Sequence, residues 1–134
     1  MSQRQILILL GALLLAVFVI LPLVTRSGDS GPSSAEKAAR TREAVNLIDR
    51  AERRYLAQHG RYTSHLADLL PRSPRLVHDL AIVLDVEIDV GSDGRSYVAS
   101  VRSDVLSFVL ARSGEKVVAQ SCLVLKRRSG VACP

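Results

Sequence analysis

Tryptophan is missing from this chain, and three tyrosines and two phenylalanines are all its aromatics. So small a stock leaves little to stack on bases or sugar rings. Cysteine is scarce as well. Cys122 and Cys133 are a single pair, too few for a structural zinc site, which takes four ligands. Their ten-residue separation also excludes a C-x-x-C redox motif. Three histidines, His59, His65 and His78, are too dispersed to face one metal from one helix. No glycine-rich phosphate loop occurs, and no serine sits in a nucleophile elbow with acid and base partners in order. These absences point away from an enzyme. No cofactor is expected.

Charge is present but mild. The formal net charge is +5 over 134 residues, which suits contact with anionic lipid, cell-wall polymer or nucleic acid and is equally accounted for by solubility. Its placement is more telling. Ile6 to Val24 is 19 consecutive residues without a charge, nearly all Leu, Ile, Val, Ala and Phe. As a helix this run would rise about 28 Å, close to the apolar thickness of a bilayer. In lipid, helix is the conformation that pairs every backbone amide within the segment. We therefore expect residues 1–24 to form an N-terminal transmembrane helix, with the bilayer as a partner through Ile6–Val24. A cleaved secretory signal is the rival reading. The exit Leu21-Pro22-Leu23-Val24-Thr25-Arg26-Ser27 offers no good A-x-A site.

Residues 25–34 (TRSGDSGPSS) form a flexible linker by composition. Ser33-x-x-Glu36 then spells a capping box, and residues 35–59 predict a helix. Ala44, Ile48, Ala51 and Tyr55 fall at spacings of 3 and 4, a narrow stripe for the core. Gly60 fits the left-handed position just past the helix. Residues 63–71 read as a capped turn or two ended by Pro71.

Beyond residue 80 the period changes. Leu84, Val86, Ile88 and Val90 alternate with Asp85, Glu87 and Asp89, which predicts a strand over 82–90 with one wet face. That acidic row reads as solvated rather than as a cation site. Gly91-Ser92-Asp93-Gly94 and Ser113-Gly114-Glu115 are turn signals, separating further strands over 96–102, 107–111 and 117–125. The expected fold of residues 35–134 is α+β: an amphipathic helix packed on a three- or four-stranded antiparallel meander.

Cys122 and Cys133 read as a disulfide in an exported small domain. The alternative is two free thiols in a cytosolic one. Orientation follows the same choice. The basic residues Arg26, Lys37, Arg40 and Arg42 favour a cytoplasmic domain. The cysteines favour an oxidising compartment, and we expect the domain outside the cytoplasm. Lys126, Arg127 and Arg128 form a basic triplet that could contact a polyanion such as DNA.

The layout resembles type IV pilins and the pseudopilins of type II secretion. The best local match is Ala51-Glu52-Arg53-Arg54-Tyr55-Leu56-Ala57-Gln58-His59-Gly60-Arg61-Tyr62. There a helix ends in an aromatic, Gly-x-Tyr follows, and a short capped turn closes on Leu70-Pro71. Cys122 and Cys133 look like the C-terminal pair of that family, and Pro22 is similar to its proline within the apolar helix. Gln5 stands where the family has a glutamate, and no leader ending in glycine precedes the apolar run. The resemblance implies an extracytoplasmic structural or interaction subunit of a pilus, pseudopilus or secretion apparatus, on a plain signal anchor, with other envelope or pilin-like proteins as partners. The alternatives are a polyanion-binding envelope module and a secreted soluble domain.

Overall fold

A computed structural model describes residues 31–133. The element order is helix α1 (Ser34–His59), helix α2 (Leu66–Leu69), a 3-10 turn (Leu70–Arg72), helix α3 (Pro74–Leu80) and strands β1 (Asp85–Val90), β2 (Ser96–Arg102), β3 (Leu106–Ser113) and β4 (Lys116–Val124).

Helix α1 starts where the capping signal places it. Ser33 is extended, and its Oγ accepts the Glu36 amide at 3.1 Å. Glu36–Arg40 and Asp49–Arg53 form i,i+4 ion pairs along the helix, at 3.9 and 3.3 Å. The helix ends at Gly60, whose φ of 71° is open to glycine at little cost, and whose N–H donates to the Leu56 carbonyl.

The strands form one antiparallel sheet in the order β1-β2-β3-β4. Each strand pairs with its sequence neighbour, so β1 and β4 are both edges. Tyr97, Ala99 and Val101 of β2 and Leu106, Phe108 and Leu110 of β3 point to the same face and are buried under the helices. The turn between them is tied by Ser103, whose Oγ accepts the amides of Val105 and Leu106. Across this face lie Ala44, Val45, Ile48 and Ala51 of α1, with Leu69 of α2 and Leu76 of α3. Tyr55 is half-buried at the margin of this core.

One expectation is corrected. The expected transmembrane helix has no counterpart among the described residues: none of their helices is long and apolar enough to cross a membrane. Helix α1, at 26 residues, has the length, but its charged residues and its packing on the sheet make it a cover for a core. The run Ile6–Val24 and most of the linker lie outside the described residues. The α+β part stands as four strands under helices.

Two local differences have clear causes. Strand β1 begins at Asp85, three residues inside the expected span 82–90, because the amides of Ala81 and Val83 turn back to the carbonyls of His78 and Leu80 at the end of α3. Leu84, the first apolar position of the alternation, is 67% exposed, although its N–H already donates to the Arg102 carbonyl. Helix α3 was not anticipated. Pro74 holds its first turn, where a missing N–H costs nothing, and Leu76 fills the core.

Ile48 is fully buried where α1 crosses the sheet, whereas Tyr55 keeps solvent contact. Ile48→Ala should therefore lower the unfolding free energy by about 2–5 kcal/mol, read by urea denaturation, and Tyr55→Ala should cost distinctly less.

Candidate functional site

Helix α1 buries two acids as well as its apolar stripe. Asp49 lies one residue past Ile48 and is buried against the end of the sheet where β2 begins and β3 finishes. There it meets Arg112, the last inward position of β3 after Leu106, Phe108 and Leu110. The pair is two-pronged: Arg112 Nε donates to Asp49 Oδ1 at 2.7 Å and Nη2 donates to Oδ2 at 2.9 Å. The Tyr97 hydroxyl of β2 also donates to Asp49, and Arg53 approaches it from the solvent side at 3.3 Å. Arg112 Nη1 reaches the Glu115 carbonyl in the β3–β4 turn. The β3–β4 register shifts beside this arginine, between Ala111↔Ala119 and Arg112↔Val117, leaving Val118 of β4 without a cross-strand partner. Burial and the bond to Asp49 hold the Tyr97 hydroxyl well above the usual phenol range, so it remains a donor.

Tyr62 links this cluster to both hairpins. Its ring meets Tyr97 edge-on at 4.7 Å, and its hydroxyl donates to the Gly114 carbonyl at 2.5 Å. Its backbone N–H donates to the Gly94 carbonyl at 2.8 Å. One residue therefore straps the β1–β2 turn and the β3–β4 turn to the end of α1. Gly94 has φ of +68°, and a Cβ there would come within 3.0 Å of Arg61, so the strap also depends on glycine.

Glu52 is buried one turn along from Asp49. Its Oε2 accepts the Thr63 amide at 3.0 Å, and Oε1 has no hydrogen-bond partner. Thr63 in turn donates from its hydroxyl to Asp68 at 2.7 Å. Burial raises the Glu52 carboxyl, the Thr63 bond lowers it, and Asp49 and Asp68 raise it further, so that it is pushed up to about 7.

The sequence-predicted residues fall as follows. Cys122 and Cys133 are joined in a disulfide with Cα atoms 5.7 Å apart, within the ordinary span. The bond folds the tail back, and Val131 packs against the core while the Val105 carbonyl holds the amides of Leu125 and Lys126. Lys126, Arg127 and Arg128 are exposed on that tail. Tyr62, Tyr97 and Phe108 are buried and Tyr55 packs at the core margin, so none of them offers the basic triplet a stacking platform. His59 stacks on Tyr55 at 4.1 Å. His65 and His78 are exposed and separate. Among the described residues no group of three or more His, Cys, Asp or Glu side chains is placed to hold a metal. Asp85, Glu87 and Asp89 share the outer face of β1, away from the helices.

The outer surface concentrates its apolar residues on β4. From Val117 to Leu125 nine residues pass without a charge, and Val118 and Leu123 are 62% and 63% exposed. Comparison with protein-family models, with curated proteins and with solved structures returns no match to this chain.

Two outcomes follow from the buried charges. Arg112→Met alone strands the Asp49 carboxylate and should cost about 3–5 kcal/mol. The double variant Asp49→Leu, Arg112→Met should lose much less than the sum of the singles, measured as a double-mutant cycle in urea. Glu52 titrates near 7 in the folded chain and near 4.5 unfolded. Its contribution is thus fully favourable below pH 4.5 and is lost as pH rises through 7. Glu52→Gln should flatten the fall in stability between pH 5 and pH 8, by at most about 3 kcal/mol.

Proposed function

We propose that this chain is a pilin-like structural or interaction subunit of the cell envelope, held at a lipid surface through its apolar run Ile6–Val24, with the domain of residues 35–134 outside the cytoplasm. The observation that carries the reading is the helix α1 laid on an antiparallel meander whose C-terminal stretch is closed by Cys122–Cys133. A disulfide persists in oxidising compartments, which supports a place outside the cytoplasm. The described domain spends its buried charges on joining helix to sheet. Val117, Val118, Leu123 and Leu125 gather exposed apolar area along β4, a sheet edge suited to protein contact. Such a subunit acts by presenting a surface, with the apolar run supplying the attachment. Other proteins of the same envelope assembly are the partners this reading calls for.

Trypsin added to intact cells should cut the exposed basic tail at Lys126–Arg128, while inverted vesicles should protect it. Chain recovered without reductant should take no thiol label after denaturation. Protection in intact cells together with labelling of both cysteines would place the domain in the cytoplasm and remove the proposal.

A further inference from the structure

The two edges of the sheet differ in how they are guarded. An edge strand exposes unpaired N–H and C=O groups, and charges along it deter pairing with other strands. Strand β1 carries Asp85, Glu87 and Asp89 on its outer face. Strand β4 has no charge from Val117 to Leu125 and is bracketed by Lys116 at one end and the Lys126–Arg128 triplet at the other. The tail does not close the β4 edge. Its backbone bonds run to the Val105 carbonyl and within the tail itself, and the disulfide ties it to Cys122, which faces the core side of the sheet.

We propose that β4 of one copy of this chain pairs antiparallel with β1 of a second copy, so that the sheet continues head to tail. Antiparallel is the sense in which all the existing strands pair. It sets the Asp85 end of β1 beside the Lys126–Arg128 end of β4, and the Asp89 end beside Lys116. The two symmetric alternatives bring like charges together. A β4–β4 pair would lay the Lys116 end of each copy against the basic triplet of the other. A β1–β1 pair would oppose three carboxylates to the same three. Opposite charges across paired strands are favourable and like charges are not, so only the unlike edges match. Such a contact leaves one free β1 and one free β4 at the ends of every open assembly and adds further copies until the rotation closes a ring. The inference names a partner for the interaction subunit proposed above and rests on that reading for its setting only.

The test uses the full chain in phosphatidylcholine vesicles, an equal mixture of nitrogen-15-labelled and unlabelled protein, and a zero-length carbodiimide that joins lysine to carboxylate in contact. Coupled peptides of mixed isotope should link Lys116 or Lys126 to Asp85, Glu87 or Asp89. In the variant K126E/R127E/R128E the couplings at Lys116, whose reacting groups are untouched, should fall about tenfold in yield, a loss of about 1.4 kcal/mol and the scale of a few surface ion pairs. The variant D85K/E87K/D89K, which removes the carboxylates themselves, is its charge-reversed counterpart. Mixing the two variants restores opposite charges across the contact and should restore coupling between them at the exchanged positions. Couplings confined to single chains, or mixed Lys116 couplings that K126E/R127E/R128E leaves undiminished, would overturn the head-to-tail pairing. Trypsin accessibility in intact cells would still report separately on where the domain resides.

Discussion

The two-pronged bond between Asp49 and Arg112 is the constraint on which the arrangement of helix and sheet depends. Apolar packing alone would let α1 slide or rotate over the meander, because Ala, Val and Ile side chains accept many registers. A buried carboxylate does not. Its charge must be matched where it lies, and the match here comes from one guanidinium on β3 and one phenol on β2. The pair adds little net stability over a well-packed apolar substitute. What it adds is position: with Tyr62 strapping both turns to the helix end, the crossing of α1 over β2 and β3 is held at one place.

Much of this fold could be read from residue spacing. The change from a helical to a two-residue period, the cap at Ser33, the stop at Gly60 and the two glycine turns locate α1 and the four strands to within a few residues. The polar core was less legible. An apolar stripe through Ala44, Ile48, Ala51 and Tyr55 is too narrow, since the buried face also takes in Thr41, Asp49 and Glu52. Those residues follow one another at helical intervals, but two are acids, and a hydrophobicity pattern discards them. A signal did exist on β3, where Arg112 keeps the alternation of Leu106, Phe108 and Leu110. A charge in phase with an apolar row implies a buried partner of opposite sign. Helix α3 was hidden by its composition, because Pro and Arg suggest a loop until Pro74 is taken as a first-turn residue.

Charge in this domain therefore has two separate duties. Inside, Asp49, Glu52 and Arg112 fix how elements cross. Outside, the acidic row on β1 and the basic ends of β4 make the two flanks of one sheet unlike. The disulfide serves the second duty by keeping the basic triplet close to the end of β4 instead of on a free tail.

The distance along the chain between Asp49 and Arg112, 63 residues, also sets a waiting time. At a synthesis rate of about 5–20 residues per second, α1 leaves the ribosome roughly 3–13 s before the strand that will neutralise it. During that interval the face destined for the interior is open to water. Asp49 and Glu52 are then ordinary hydrated carboxylates in the midst of Val45, Ile48 and Ala51, and they blunt its stickiness until the meander arrives. The same acids that are awkward to bury make the unfinished polypeptide easier to keep in solution.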